Sequence, residues 1–295
     1  MILCIGEILA DMVGESEGDS LALHAYCGGA PFNCAVNAKR AGAKGGFGGR
    51  VGDDPVGRFL LSYARRAKFD YMDIQTDEER STTLAFVTLT DGERDFSYNR
   101  RDTADYHIDL SRVDFGAFAD LDIVHLGSLM LSEEAGRALA REIVQRTRKI
   151  CARLSFDVNF RKDIYADFGD ALRAYRPFVA EADILKFSED ELAEFTGIAD
   201  MDKAVASLNK PESLVVVTLG KRGCAYYYRE LHGMIPPAPD AGERVDTTGA
   251  GDAFFGALLA NLDGKEWTKE TIETALMRAN EAGARTFCFK GAVRL

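Results

Sequence analysis

A carboxylate that follows a glycine-rich turn is the group in this sequence with the clearest capacity for chemistry. Asp252 lies where the polar stretch 246–251 runs into an apolar helical segment. The first amides of a helix lack internal partners and carry partial positive charge, so an anion can bind at the small residues Gly249, Ala250 and Gly251. Asp252 would then lie beside that anion, placed to accept a proton from an attacking hydroxyl group. The alternative is an ordinary helix start, in which Asp252 only complements the helix dipole.

A second pair of glycines, Gly28 and Gly29, precedes another predicted helix, which begins at Pro31 and ends near Arg40. Glycines before a helix let a ligand touch the backbone, and Asn33 offers both a hydrogen-bond donor and an acceptor. The pattern is therefore typical of a binding loop. Taken alone, it also fits a plain loop-to-helix junction in which Asn33 pairs with neighbouring polar groups.

Polar residues also follow the predicted strands, at the edge where ligands of open α/β sheets gather. They form three groups: Asp157, Asn159 and Arg161; the segment 186–191; and the turn with Thr218, Gly220 and Gly223. In the second group, the Ser188-x-x-Glu191 spacing also predicts a helix capping box, which requires no ligand. For Arg161, the alternative is an ordinary surface arginine.

The elements that would position these residues alternate along the second part of the chain. Apolar runs at 121–127, 153–158, 183–187 and 214–219 are separated by helical stretches. This alternation predicts βαβ units and a parallel sheet.

The first hundred residues instead contain hairpin patterns, one within 8–27 and one around Asp91-Gly92. We therefore predict an α/β fold with an open, mostly parallel sheet flanked by helices and a small β-sheet lid. The lid would be formed by about 8–27 and 82–105, within a single domain spanning 1–295.

Charge and composition narrow the class of protein. The formal net charge of −11 disfavours nucleic-acid binding, which needs a basic face. The six cysteines form no Cys-x-x-Cys pair, which favours reduced cysteines over a metal site. No segment has the pattern of a signal peptide or a membrane helix, so we expect a cytoplasmic protein without a membrane partner. The absence of a Gly-x-x-x-x-Gly-Lys-Ser/Thr motif argues against a P-loop kinase.

Position by position, residues 246–259 resemble the second signature of the ribokinase-like (phosphofructokinase-B) sugar kinases. Residues 28–35 and 47–57 look like the first signature of the same family, and the resemblance covers nearly the whole chain. It implies a ribokinase-like fold and an ATP-dependent sugar kinase that uses Mg²⁺. It also implies that Gly249–Gly251 form the anion hole and that Asp252 is the catalytic base.

The resemblance implies further roles, residue by residue. The sugar would be bound by Asp11, Gly28, Gly29, Asn33, Arg100, Asn159 and Arg161. The nucleotide would be bound by Lys186, Ser188, Thr218, Gly220, Gly223 and Asn280. Glu191 would act near Mg²⁺, either directly or through a water molecule. Asp246 and Thr248 would lie near the monovalent-cation (K⁺) site that some members of the family have.

The substrate side of the sequence resembles the fructokinases. Arg100 and Asp105 match their Phe-Tyr-Arg-x-x-x-Ala-Asp element, whereas Asn99 replaces an aromatic residue and Asp102 a common proline. We therefore predict fructose as the sugar. The alternatives are 2-keto-3-deoxygluconate, whose carboxylate Arg100 and Arg161 would hold, ribose or a nucleoside, and, from another class, a sugar-binding regulator without catalysis. Because the edge strands of a lid invite pairing, we also predict a homodimer through the lid.

Overall fold

The computed structural model describes residues 1–17, 19–90, 93–116, 118–239, 248–286 and 291–295. Within these residues, nine strands form a central sheet and four form a small sheet. The central strands are β1 (Ile2–Ile5), β4 (Gly45–Gly52), β5 (Tyr71–Asp77), β8 (Ile123–Leu126), β9 (Arg153–Asp157), β10 (Ile184–Ser188), β11 (Leu214–Thr218), β12 (Cys224–Tyr228) and β13 (Leu231–Ile235). The small sheet contains β2 (Leu9–Glu17), β3 (Ser20–Gly28), β6 (Leu84–Thr90) and β7 (Glu93–Asn99).

The central sheet has the strand order β13-β12-β11-β10-β9-β8-β1-β4-β5. Neighbouring strands from β5 to β11 are parallel, while β12 and β13 are antiparallel to their neighbours. The four apolar runs of the predicted βαβ units form β8, β9, β10 and β11, which are almost entirely buried. Strands covered on both faces need such continuous apolar runs. The predicted open, mostly parallel sheet is confirmed.

Helices cover both faces of the central sheet. They are α1 (Ala30–Arg40), α2 (Pro55–Arg66), α3 (Glu134–Lys149), α4 (Phe168–Glu181), α5 (Glu189–Thr196), α6 (Met201–Ser207), α7 (Ala250–Leu262) and α8 (Lys269–Thr286). Leu3 and Ile5 of β1 belong to the hydrophobic cluster of α3 and α4, whereas Ile2 and Cys4 belong to that of α1, α7 and α8. This alternation buries the sheet between two helical layers. None of the described helices is long and apolar enough to cross a membrane.

The central strands β4, β5, β12 and β13 were not predicted from the sequence. Strand β4 shows why, because five of its eight residues are glycine and its intrinsic β propensity is low. It forms because β1 pairs with one of its edges and β5 with the other. Glycine suits the close backbone approach there: a Cβ on Gly52 would lie 2.5 Å from the carbonyl oxygen of Arg80.

The small sheet has the order β3-β2-β6-β7, with β2 and β6 parallel and both outer pairs antiparallel. Its strands come from the two segments that were expected to associate, so the small sheet is confirmed. The predicted turn at Asp91-Gly92 lies outside the described residues. Strand β3 ends at Gly28, directly before α1, and so connects the small sheet to the first glycine pair.

Candidate active site

The carboxyl ends of the central strands meet the first turns of α1 and α7 at one edge of the sheet. Asp157, Ser188 and Thr218 are the last residues of β9, β10 and β11. Because these strands are parallel neighbours, their ends lie side by side. The structure therefore brings together polar residues that the sequence places after separate strands.

Asp252 is held from across this edge by Asn33. The Nδ2 of Asn33 donates a hydrogen bond to Oδ2 of Asp252 at 2.8 Å. Asn33 is buried in the first turn of α1, and Asp252 lies in the first turn of α7. A hydroxyl group bound beside Asn33 would therefore lie within reach of the Asp252 carboxylate.

The protein environment changes the acidity of Asp252. Desolvation by burial raises the pKa of Asp252 to about 7, and the negative charge of Asp157 adds to the rise. The hydrogen bond from Asn33 and the positive charges of Lys186 and Arg161 act in the opposite direction. A carboxylate of this pKa suits a general base, because it is basic and still substantially deprotonated near neutral pH.

A buried ion pair lies beside Asp252. Lys186 Nζ donates to both carboxylate oxygens of Asp157, each at 2.8 Å, and both side chains are 7% exposed. Burial lowers the pKa of Lys186, but the negative charges of Asp157 and Glu191 outweigh it, and the pKa is raised. Sequence reasoning singled out Lys186 but missed this partnership. The signal was a lysine within the apolar strand Ile184–Ser188, since a buried cation needs a partner.

The turn before α7 has the geometry of an anion site. Gly249 has a φ of 77°, and a Cβ there would lie 2.5 Å from the carbonyl oxygen of Ala292, so glycine is required. Helix α7 begins at Ala250, and the amide of Ala253 donates a hydrogen bond to the carbonyl oxygen of Gly249. A Cβ on Gly251 would lie 3.4 Å from Lys186 Nζ. The turn therefore combines the amides of a helix N-terminus with a nearby positive charge.

A cavity of about 500 Å³, called here the nucleotide cavity, opens beside this turn. It is lined by Ala250 and Gly251 and by four residues predicted to bind nucleotide, Thr218, Gly220, Gly223 and Asn280. Its size is that of an ordinary small-molecule site. Asn280 Nδ2 donates to the carbonyl oxygen of Pro236 at 2.9 Å and so attaches α8 to the segment after β13. Lys186 lies within β10 and Ser188 at its end, and neither lines the described part of this cavity.

The predicted capping box at the start of α5 is confirmed. The Glu191 amide donates to Oγ of Ser188, and Oε2 of Glu191 accepts from the Ser188 amide at 2.7 Å. Oε1 of Glu191 accepts from the amide of Phe160 at 3.1 Å. Among the described residues, no group of three or more His, Cys, Asp or Glu side chains is arranged to hold a metal ion. The Glu191 carboxylate, whose two oxygens both accept amide hydrogen bonds, fits contact with Mg²⁺ through water, and the Mg²⁺ site itself stays a prediction.

Four of the residues predicted to bind sugar, Asp11, Gly28, Gly29 and Asn33, lie next to one another and lead to Asp252. A Cβ on Gly28 would lie 2.3 Å from Oδ2 of Asp11, so the Asp11 carboxylate lies over this glycine. The carbonyl oxygen of Gly29 accepts from the amide of Asn33 at 2.8 Å. Asn33 in turn contacts Asp252.

Arg100 lies deeper than a simple sugar contact would require. Its guanidinium donates to the carbonyl oxygen of Leu129 at 3.0 Å and to Asp105 Oδ2 at 3.2 Å. Asp105 also accepts from the hydroxyls of Thr83 and Thr103. Since protein groups already engage the guanidinium, the sugar contact of Arg100 stays a prediction.

The remaining residues predicted to bind sugar or a monovalent cation are half-buried, exposed or outside the described residues. Asn159 is half-buried and adopts a φ of 38°, and Arg161 is exposed but close enough to affect the pKa of Asp252. Thr248 directly precedes Gly249, whereas Asp246 lies outside the described residues. The monovalent-cation site stays a prediction.

Glu7 is a buried acidic residue that sequence reasoning did not select. It is 2% exposed, and burial raises its pKa to about 8. Arg100 lowers this pKa, whereas Asp105 and Asp252 raise it. Glu7 therefore adds little negative charge beside Asp252 at neutral pH. Its position two residues after the buried strand β1 was the available signal.

An open, mostly parallel α/β sheet is the arrangement expected of a small-molecule kinase when its strand ends carry a buried carboxylate, a glycine turn at a helix start and a nucleotide-sized cavity. The model of the pfkB family carbohydrate kinases matches residues 1–294. The chain belongs to this family and is a sugar phosphotransferase.

Relatives support the same assignment. Fructokinase-1 of Zea mays is 36% identical over 99% of this chain and 93% of its own length. The fructokinase of Vibrio cholerae O395, solved with fructose, ADP and a calcium ion, has a TM-score of 0.85 and 30% identity over 99% of this chain and 94% of its own. The fructokinase of Xylella fastidiosa, solved with bound ATP, has a TM-score of 0.87 and 28% identity over 99% of this chain and 93% of its own.

Proposed function

We propose that this protein transfers the γ-phosphate of ATP to a hydroxyl group of fructose. The Zea mays and Vibrio cholerae relatives are fructokinases, and the latter was solved with fructose and ADP. The observation that supports the proposal most is the contact of Asn33 with Asp252 beside the anion-binding turn. The engagement of Arg100 by Asp105 makes a sugar acid less suitable, because that guanidinium is already paired.

In the proposed reaction, the sugar lies along Asp11, Gly28, Gly29 and Asn33 with one hydroxyl facing Asp252. Asp252 takes the proton of this hydroxyl as its oxygen forms a bond to the γ-phosphorus of ATP. The bond between that phosphorus and the bridging oxygen breaks, and ADP leaves. The protonated carboxyl then loses its proton to solvent.

Charge on the transferred phosphoryl group would be stabilised by the amides of the Gly249–Gly251 turn and by the Lys186 ammonium group. Asn159 and Arg161 would contact the sugar or the phosphates from the other side. Mg²⁺, when bound, neutralises charge on the phosphates of ATP. Glu191 would reach this ion through water, because both of its carboxylate oxygens accept amide hydrogen bonds.

ATP would occupy the nucleotide cavity with its base near Asn280, and this placement can be tested by filling the cavity. Ala284 lines the nucleotide cavity. The variant Ala284→Phe should raise the KM for ATP by at least ~10-fold, because the phenyl ring would occupy space that ATP needs and so remove contacts that bind it. Sugar affinity should not change. Met277→Phe, at an exposed position of the same helix outside this cavity, is the control. Equal KM values for ATP in the two variants would contradict this placement.

The pH dependence of kcat/KM tests the role of Asp252 as a base. With a pKa of about 7, activity should fall about tenfold per pH unit below neutrality as the carboxylate is protonated. In Asn33→Ala, the hydrogen bond that lowers this pKa is lost, so the acidic limb should move to higher pH. Asn37→Ala is the control, because Asn37 donates to the Asn33 carbonyl and not to Asp252. A wild-type profile that stays flat down to pH 5 would refute the assignment.

The sugar can be identified by measuring ATP consumption with Mg²⁺ against fructose, ribose, 2-keto-3-deoxygluconate and a nucleoside. A dominant response to fructose is expected. A dominant response to another compound would replace the substrate and keep the kinase. Binding of a sugar without ATP consumption would instead favour a regulator that has lost catalysis.

We also propose that the small sheet acts as a lid in a single kinase domain, and that two chains pair through it. Its outer strands β3 and β7 have free edges within the described sheet, and Leu21 on β3 is 56% exposed. Light scattering should give twice the chain mass of 32.3 kDa, and Leu21→Lys should reduce it. Met234→Lys, an exposed residue on the edge strand of the central sheet, should not. A monomer mass for the wild type would refute the dimer.

The cytoplasmic location stays a prediction.

A further inference from the structure

A second cavity, of about 350 Å³, lies between α1, α7 and α8 and shares no lining residue with the nucleotide cavity in the described structure. We call it the arginine cavity. Its polar lining consists of Asn37, Arg40, Asn261, Arg278, Glu281, Arg285 and Thr286. Arg40 of α1 and Arg278 and Arg285 of α8 thus bring three guanidinium groups to one concave surface, although the chain carries a net charge of −11.

The positive charge of the arginine cavity is only partly balanced. Glu281 pairs with Arg285 at 3.4 Å on the same helix. Arg40 and Arg278 take part in none of the ion pairs or hydrogen bonds found among the described residues. Desolvation lowers the pKa of Arg40, as expected for a partly buried cation that no anion neutralises. Two guanidinium groups therefore remain available to a ligand.

Two amides add neutral donors to this surface. Asn37 donates through Nδ2 to the carbonyl oxygen of Asn33, and Asn261 donates to that of Ala257, each at 2.8 Å. A side-chain amide has two N–H groups, so each has a second one to offer. Guanidinium forks together with amide donors match an oxyanion that has several acceptor oxygens. We propose that the arginine cavity binds the phosphate group of a small anion, either inorganic phosphate or a phosphorylated sugar.

The arginine cavity is connected to the catalytic edge by short contacts. Asn37 bonds to Asn33, which bonds to Asp252. Helices α1 and α7 are in direct contact, since a Cβ on Gly256 would lie 2.4 Å from the carbonyl oxygen of Cys34. A ligand that draws Arg40 and Arg278 together would therefore act on both helices that carry the Asn33–Asp252 pair. Binding in the cavity should thus be coupled to turnover.

Binding of inorganic phosphate and of ribose 5-phosphate to the full-length protein, measured by titration calorimetry, tests the site independently of any kinase activity. The test variant is Arg40→Gln/Arg278→Gln. The control is Arg65→Gln/Arg176→Gln, which removes two other exposed helical arginines that line neither cavity. We expect the test variant to bind at least one of the two ligands at least ~10-fold more weakly than the wild type, because two charge-assisted contacts are lost. The control should bind like the wild type.

The ligand that shows this difference identifies the source of the phosphate group. Equal affinities in all three proteins, or no binding to the wild type, would overturn the proposal. Coupling has a separate readout: the bound anion should change the sugar KM of the wild type at least ~2-fold and leave that of the test variant unchanged. The same change in both proteins would place the effect in the active site and overturn the coupling.

Discussion

Replacing Asp252 with Asn is expected to lower kcat by at least ~100-fold, because an amide cannot accept the proton of the sugar hydroxyl. The change is nearly isosteric, and the new amide oxygen can still accept the hydrogen bond that Asn33 donates at 2.8 Å. It also removes the cost of keeping a charge in a desolvated position, where burial raises the pKa to about 7. The variant should therefore fold and bind sugar as the wild type does.

Steady-state kinetics together with sugar binding by calorimetry separates the chemical role of Asp252 from a structural one. Glu270→Gln is a suitable control, since it neutralises an exposed carboxylate in the first turn of α8 that does not line the nucleotide cavity. A kcat within a few-fold of the wild type in Asp252→Asn would reject Asp252 as the base. Loss of sugar binding with an unchanged kcat would make it a binding residue instead.

The largest effect on stability is expected from Lys186→Met. This change leaves the Asp157 carboxylate buried without the ammonium group that contacts both of its oxygens. It also removes a positive charge that interacts with the carboxylates of Asp252 and Glu191. Breaking a buried pair from one side costs about 3–5 kcal/mol of unfolding free energy. Urea unfolding should show a loss in this range.

The double variant Asp157→Asn/Lys186→Met distinguishes an unpaired charge from lost packing. Removing both charges should restore most of the stability, because no carboxylate is then buried without a partner. If the single variant loses less than ~1 kcal/mol, the carboxylate is solvated in the native state and the pair is not a structural one. If the double variant is as unstable as the single one, the unpaired Asp157 carboxylate is not the cause of the lost stability.

Much of the fold around the site could be predicted from local patterns. The strands β8 to β11 follow from apolar runs, and α7 from the glycine turn and the apolar segment after it. The capping box of Ser188 and Glu191 follows from spacing alone, since both hydrogen bonds form within one helical turn. Strand β4 could not be predicted in this way, because its glycines are accommodated by pairing with β1 and β5.

The candidate site was predictable as a set of residues but not as an arrangement. Family signatures marked Asn33 and Asp252, yet these residues are 219 positions apart and no local pattern shows that they are bonded. The pairing of Lys186 with Asp157 and the neutralising burial of Glu7 were likewise not predicted. Each depends on which strand ends become neighbours.

The sequence by itself thus determined the class of fold, the family and the carboxylate expected to act as base, because periodicity, helix starts and signature spacing are local properties of the chain. Only the tertiary structure decided how that carboxylate is held, what raises its pKa and where a nucleotide-sized cavity and the arginine cavity open. The physical reason is that desolvation, charge proximity and cavity shape arise between segments far apart in sequence, which meet only when the parallel strands and their helices are assembled.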